Sequence, residues 1–137
     1  MAMVAMTIVP AMALSQDKTD PMNITVHAGD TALSATLDDT AAAQDFASML
    51  PLTLTLEDYH GIEKVADLGR KLDASNSPDS YAPKAGDITQ YAPWKNIAIF
   101  VAPFQASRGL VRLGEFDGDF STLSRSGPIE VRIERAD

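Results

Sequence analysis

Few residues in this chain can do chemistry, and their spacing excludes most reactions. The two histidines are His27 and His60. His27 falls on the polar phase of an alternating stretch and His60 in a His-Gly turn. No HxH or HExxH spacing brings metal ligands together, so no metal and no cofactor is expected. Cysteine is absent, which removes thiolate nucleophiles, thiolate metal sites and disulfides. No Gly-x-Ser-x-Gly anchors a serine hydrolase, and Asp117-Gly118-Asp119 lacks the rest of a calcium loop. Glu57, Asp58 and Glu63 are close enough in sequence to flank a groove as acid and base. Ionised carboxylates at strand ends ordinarily stay in water, however. No residue is assigned a catalytic role.

The aromatic residues give the stronger pattern. Tyr91, Trp94, Phe100 and Phe104 fall within one hairpin and its exit loop, with Tyr59 and Tyr81 close by. Trp94 is the only tryptophan and sits in a turn, where burial is least assured. Exposed beside Tyr91, it would make a ligand platform. The plainer reading puts Tyr91 and Phe100 in the core and uses Trp94 to cover a barrel mouth. Arg112, inside the apolar strand Val111-Arg112-Leu113-Gly114, adds a charge. The expected binding residues are therefore Tyr91, Trp94, Phe100 and Arg112, around an open barrel end holding a small molecule or an extended peptide.

The elements that must position these residues are short. The segment Asp38–Tyr59 is expected to form a helix and then a strand. Asp38 or Asp39 would cap the first turn. Ala42, Phe46, Met49 and Leu50 make one apolar stripe, and Pro51 ends it. Leu52, Leu54 and Leu56 then alternate with Thr53, Thr55 and Glu57 at a period of two. Met22–Leu37 reads as a hairpin about Gly29-Asp30, and Gly86–Phe100 as a second one. Tyr59–Leu72 is expected to be irregular strand or extended loop, and Asp73–Pro83 a loop. Leu110, Arg112 and Gly114 are expected on one face of a strand, with Val111, Leu113 and Glu115 on the other. Asp119 would cap a one-turn helix holding Phe120 and Leu123. Pro128–Arg135 is the last strand, with Ile129, Val131 and Ile133 inward. Seven or eight short strands with two short helices predict a mainly β domain, a closed barrel or a sandwich.

Composition limits the partners. The chain has 137 residues, 19 acidic against 11 basic, and a net charge of -8. That length suits one domain and a core that needs no staple. With no basic stripe, nucleic acid is excluded as a partner, as is docking on anionic lipid. Residues 1–14 are apolar and uncharged, and too short to span a bilayer, which takes about 20 residues. With Ala11-Met12-Ala13 as a cleavage site they read as a signal peptide that lacks its basic start. Residues 1–20 are accordingly expected to be signal and linker, and 21–137 the domain. The mature chain would have no membrane span and would be periplasmic or secreted. Its oligomeric state is left open.

Five segments together resemble a known family. They are MNITVHAGDTALSATL, AAAQDFASMLPLTLTLEDY, EKVADLGRKL, AGDITQYAPWKNIAIFVAPF and LVRLGEFDGDFSTLSRSGPIEVRIE. The likeness is to the cyclophilin-like small-barrel proteins of bacteria, often exported, over about residues 22–134. It implies a closed or nearly closed cyclophilin-type β-barrel with short helices at its ends. The prolyl-isomerase branch carries its arginine in a Phe-His-Arg run and a Gly-Ser-Gln-Phe-Phe segment; this chain has neither, and no catalytic residue carries over. The expected function is a non-catalytic binding module. One alternative is a divergent prolyl isomerase in which Arg112 polarises the peptide carbonyl. Another is an accessory domain that docks on a partner through an exposed apolar patch.

Overall fold

The computed structural model describes residues 21–136, so the expected signal peptide and linker lie outside the described residues. The chain opens with strands β1 (Met22–Ala28) and β2 (Thr31–Leu37), joined at Gly29-Asp30. Gly29 takes a φ of 61°, a value a side chain resists and glycine does not. Ile24, Val26, Leu33, Ala35 and Leu37 face the core. Helix α1 (Ala41–Ala47) follows, and its cap differs from expectation. Thr40, not Asp38 or Asp39, is the N-cap, and its Oγ1 accepts the Ala43 N–H at 3.1 Å. Tertiary contacts take the aspartates elsewhere: Asp38 binds Arg112 and Asp39 accepts from the Gln44 amide. Ala42, Ala43, Phe46 and Ala47 are buried, while Met49 and Leu50 pack against the core beyond the helix end.

Strand β3 (Leu52–Tyr59) keeps the expected alternation, with Leu52, Leu54 and Leu56 inward and Thr53, Thr55 and Glu57 exposed. The stretch expected to be irregular contains β4 (Glu63–Asp67), and the expected loop Asp73–Pro83 contains a two-residue strand, β5 (Ser80–Tyr81), paired to a second one later in the chain, β8 (Ser107–Arg108). Between them lie β6 (Asp87–Tyr91), a 3-10 turn at Ala92–Trp94 and β7 (Asn96–Phe100). Strand β9 (Leu110–Phe116), a 3-10 turn at Ser121–Ser124 and β10 (Ile129–Arg135) complete the chain. The second short helix is thus this 3-10 turn, which begins after Phe120; Asp119 accepts the Ser121 N–H just ahead of it.

The eight longer strands close into an antiparallel barrel in the order β1-β10-β3-β4-β7-β6-β9-β2. Closure leaves no unpaired edge. The expected faces of β9 are corrected by a bulge. Against β6, Ile88 pairs with Gly114 but Thr89 pairs with Arg112, so Leu113 is an extra residue on β9. The extra residue resets the alternation. Val111, Leu113 and Phe116 all join the core, Gly114 is buried, and Glu115 and Arg112 turn outward.

Both barrel ends are plugged. At one end α1 meets the segment after β4, where Asp45 accepts from Arg70 and from the Asp73 N–H. There the buried Gln90 side chain donates to the Arg70 carbonyl and accepts from the Leu72 N–H. At the other end Lys64, only 2% exposed, points inward from β4. Its ammonium donates to the Arg125 and Gly127 carbonyls and pairs with Asp58. Three donors thus meet three acceptors, the condition under which a buried lysine is tolerated.

Candidate functional site

The site is on the outer wall of the barrel, and strand register builds it. Tyr59 lies opposite Glu63 across β3–β4, and Glu63 opposite Phe100 across β4–β7. Asn96 lies opposite Tyr91 across β7–β6, and Tyr91 opposite Leu110 across β6–β9. These two rows point away from the core on alternate residues. Ala98, Phe100 and Leu110 form a second apolar cluster there, with Ile62, Val65, Tyr81 and Tyr91 packed against it. The segments carrying β5 and β8 rise beside this wall, and Phe104 stacks on Phe100 with ring centroids 6.4 Å apart. The result is a cleft of about 740 Å³, within the usual size of a small-ligand site.

Aromatic rings dominate it. Trp94 stands nearly perpendicular to Tyr91, centroids 5.2 Å apart, and to Tyr59, 5.7 Å apart. Its side chain remains 58% exposed, and Phe104 at the other rim 40%. Among the described residues these two are the exposed large apolar side chains. Strain accompanies the placement. His60 and Lys95, each directly after a cleft aromatic, hold left-handed φ values of 54° and 59°. Non-glycine residues in this region are uncommon, cost of order 1 kcal/mol or more and cluster at functional positions.

Two polar groups in the cleft are also held at a cost. The Asn96 Oδ1 is buried with no hydrogen-bond partner among the described residues, which costs about 1–3 kcal/mol. The Glu63 carboxyl titrates above its ordinary value because burial penalises the ionised form, with the nearby His60 pulling the other way. No salt bridge to Glu63 occurs among the described residues. A carboxyl raised this way adds stability below its unfolded value and loses it as pH climbs through the folded value. Glu63→Gln is therefore expected to raise the urea midpoint at pH 7 and to leave it unchanged at pH 4. The gain is under about 1 kcal/mol, because the group keeps partial contact with water. An equal shift at both pH values would refute the burial argument.

Of the four residues expected to bind, Tyr91, Trp94 and Phe100 come together, on the wall and not at an open barrel mouth. Phe100 is both buried and part of the cleft floor. Arg112 is not among the cleft residues. Its Nε and Nη2 donate to Asp38 at 2.8 and 3.2 Å, Nη1 to Asp87 at 2.9 Å and Tyr81 at 3.3 Å, and Nη2 also to Glu115 at 3.2 Å. The hydrogen bonds to Asp38 above all hold the guanidinium firmly protonated, against the opposing effect of burial. All its nitrogens are engaged, which leaves no free donor to polarise a peptide carbonyl. Glu63, expected only as one of three carboxylates able to flank a groove, and Asn96, given no role by the sequence, join the cleft through the cross-strand pairs Tyr59–Glu63 and Tyr91–Asn96. Among the described residues no cluster of His, Asp and Glu is arranged to hold a metal, and no helix is long and apolar enough to cross a membrane.

Residues 26–134 match the sequence model of the cyclophilin-like family. The solution structure of a hypothetical protein from Archaeoglobus fulgidus is similar in fold, with a TM-score of 0.63 at 17% identity, over 85% of this chain and 95% of that one. A comparison with curated protein sequences finds no match.

Proposed function

Starting from the fact that this chain belongs to the cyclophilin-like family, we propose that it is a non-catalytic binding module whose site is the aromatic cleft on the barrel wall. The observation that carries this reading is the exposed Trp94 held against Tyr91 and Tyr59 over a preformed apolar floor. A large aromatic left in water costs stability unless a ligand covers it. The occupant is a small molecule or a short extended peptide. Prolyl isomerisation is disfavoured by the saturated guanidinium of Arg112. Docking of a protein through a broad apolar face is disfavoured because among the described residues the exposed large apolar side chains number two, both at the cleft.

Trp94 reports on its own site. Its emission is expected to shift when a panel of amines, acids, aromatic solutes and proline-containing peptides is titrated in. Tyr91→Ala is expected to weaken any hit by about ten-fold, the worth of one aromatic contact. Silence across the whole panel would remove the proposal. We also propose export to the periplasm or the medium, on the apolar stretch 1–14 and Ala11-Met12-Ala13. Mass spectrometry of the protein from its host is expected to find an N-terminus near Leu14; an intact Met1 would refute it.

A further inference from the structure

The polar groups of the cleft narrow the class of occupant, if the cleft is the binding site proposed above. Glu63 is a carboxylate in an aromatic pocket, with no cation paired to it among the described residues. Three rings lie near that carboxylate. Tyr59 is its cross-strand neighbour, and Trp94 stands edge-to-face with both Tyr59 and Tyr91. In an edge-to-face contact the edge of one ring covers one face of its partner, and a cation within about 6 Å of the ring centre is attracted to a face that such a contact leaves uncovered. Asn96 lines the same cleft, and its Oδ1 is shut from water without a donor among the described residues; a turn of the side-chain amide would present it to an occupant.

We infer that the cleft takes a small organic cation, an alkylated ammonium carrying one O–H or N–H donor, with the charge between Tyr59, Tyr91, Trp94 and Glu63 and the donor on Asn96. Each part of that ligand answers a group in the cleft. The charge relieves the desolvated Glu63, the alkyl groups meet the rings and the Phe100–Leu110 floor, and the donor satisfies Asn96. Two basic groups also border the cleft. Arg108 is exposed at the rim on β8, where water and salt screen it. His60 packs edge-on against Tyr59.

The test is Trp94 fluorescence titration at pH 8 with choline, with tetramethylammonium, which lacks a donor, and with dimethylbutanol, the uncharged carbon isostere of choline. Choline is expected to bind at least about ten-fold more tightly than dimethylbutanol, because only the cation gains from the rings and Glu63. Glu63→Gln is expected to cut that preference several-fold, the rings alone keeping a remainder, while leaving dimethylbutanol binding unchanged. Asn96→Ala is expected to bring choline down to the affinity of tetramethylammonium. Sedimentation with phosphatidylcholine vesicles separates two sources of the same chemistry: co-sedimentation assigns the cation to a lipid headgroup, and choline binding without it to a free solute. Equal affinity for choline and dimethylbutanol, or a choline affinity indifferent to Glu63→Gln, would overturn the inference while leaving a binding cleft. Binding only by acids, neutral solutes or peptides would do the same. No binding by any compound would overturn both.

Discussion

Arg112→Met is expected to lower the unfolding free energy by about 3–5 kcal/mol, the usual cost of leaving one partner of a buried ion pair behind. The partner is Asp87, whose side chain is 1% exposed. Its carboxylate accepts from Arg112, from the Tyr81 hydroxyl and from the Lys84 N–H. Lys84, the remaining cation, is 66% exposed and 3.8 Å away, too solvated to replace a buried guanidinium. Asp38 and Glu115 are more exposed and can return to water. The expected fall in melting midpoint is roughly 10–20 °C for a domain of this size. Adding Asp87→Asn to Arg112→Met is expected to recover part of the loss, because asparagine keeps the acceptor and drops the stranded charge. Ligand affinity in the cleft is expected to be unchanged in whatever fraction remains folded. A stability equal to wild type would mean that the network is not formed in solution. A selective loss of binding would return Arg112 to the site.

Gly114→Ala is expected to cost about 3 kcal/mol or more, or to prevent folding altogether. Gly114 sits at the β9 bulge, where the strand pairs with Leu37 of β2 on one side and with Ile88 of β6 on the other. A Cβ there would stand 2.2 Å from the Thr36 carbonyl oxygen and 2.8 Å from the Leu37 Cα. Both obstacles are backbone atoms of the neighbouring strand, so no side-chain rotation relieves them. Moving β2 away would strain the Asp38 N–H to Leu113 carbonyl bond and the Ala35–Phe116 pair that close the barrel. Gly118→Ala is the control. A Cβ at Gly118 meets nothing within 4 Å, and its effect is expected to stay within about 0.5 kcal/mol. Urea denaturation of both variants decides the point, with circular dichroism of the soluble fraction where Gly114→Ala does not fold. Equal midpoints would show that β2 and β9 do not approach so closely.

The chain stated most of its barrel in its alternation. Met22–Leu37, Leu52–Leu56 and Ile129–Ile133 each put every second residue in the core, as a half-buried strand must. It said less about β4, because there the inward residue is Lys64 and the outward one Glu63, a pattern that reads as two surface charges. The pair β5–β8 was illegible for another reason. Two residues carry no period, and their partners lie far apart in the chain. The bulge reversed the outcome for β9, since one added residue moves every later side chain to the opposite face.

The site follows the same division. Sequence alone brought Tyr91, Trp94 and Phe100 into one hairpin, and it excluded thiol and triad chemistry by composition and spacing. It could not say which side of the wall the aromatics face, that Tyr59 and Glu63 stand in the same cleft, or that Arg112 is spent on Asp38 and Asp87. Alternation fixes which residues of one strand share a face. Which strands become neighbours, and in what register, is settled only when the sheet closes, because that choice depends on contacts between residues distant along the chain.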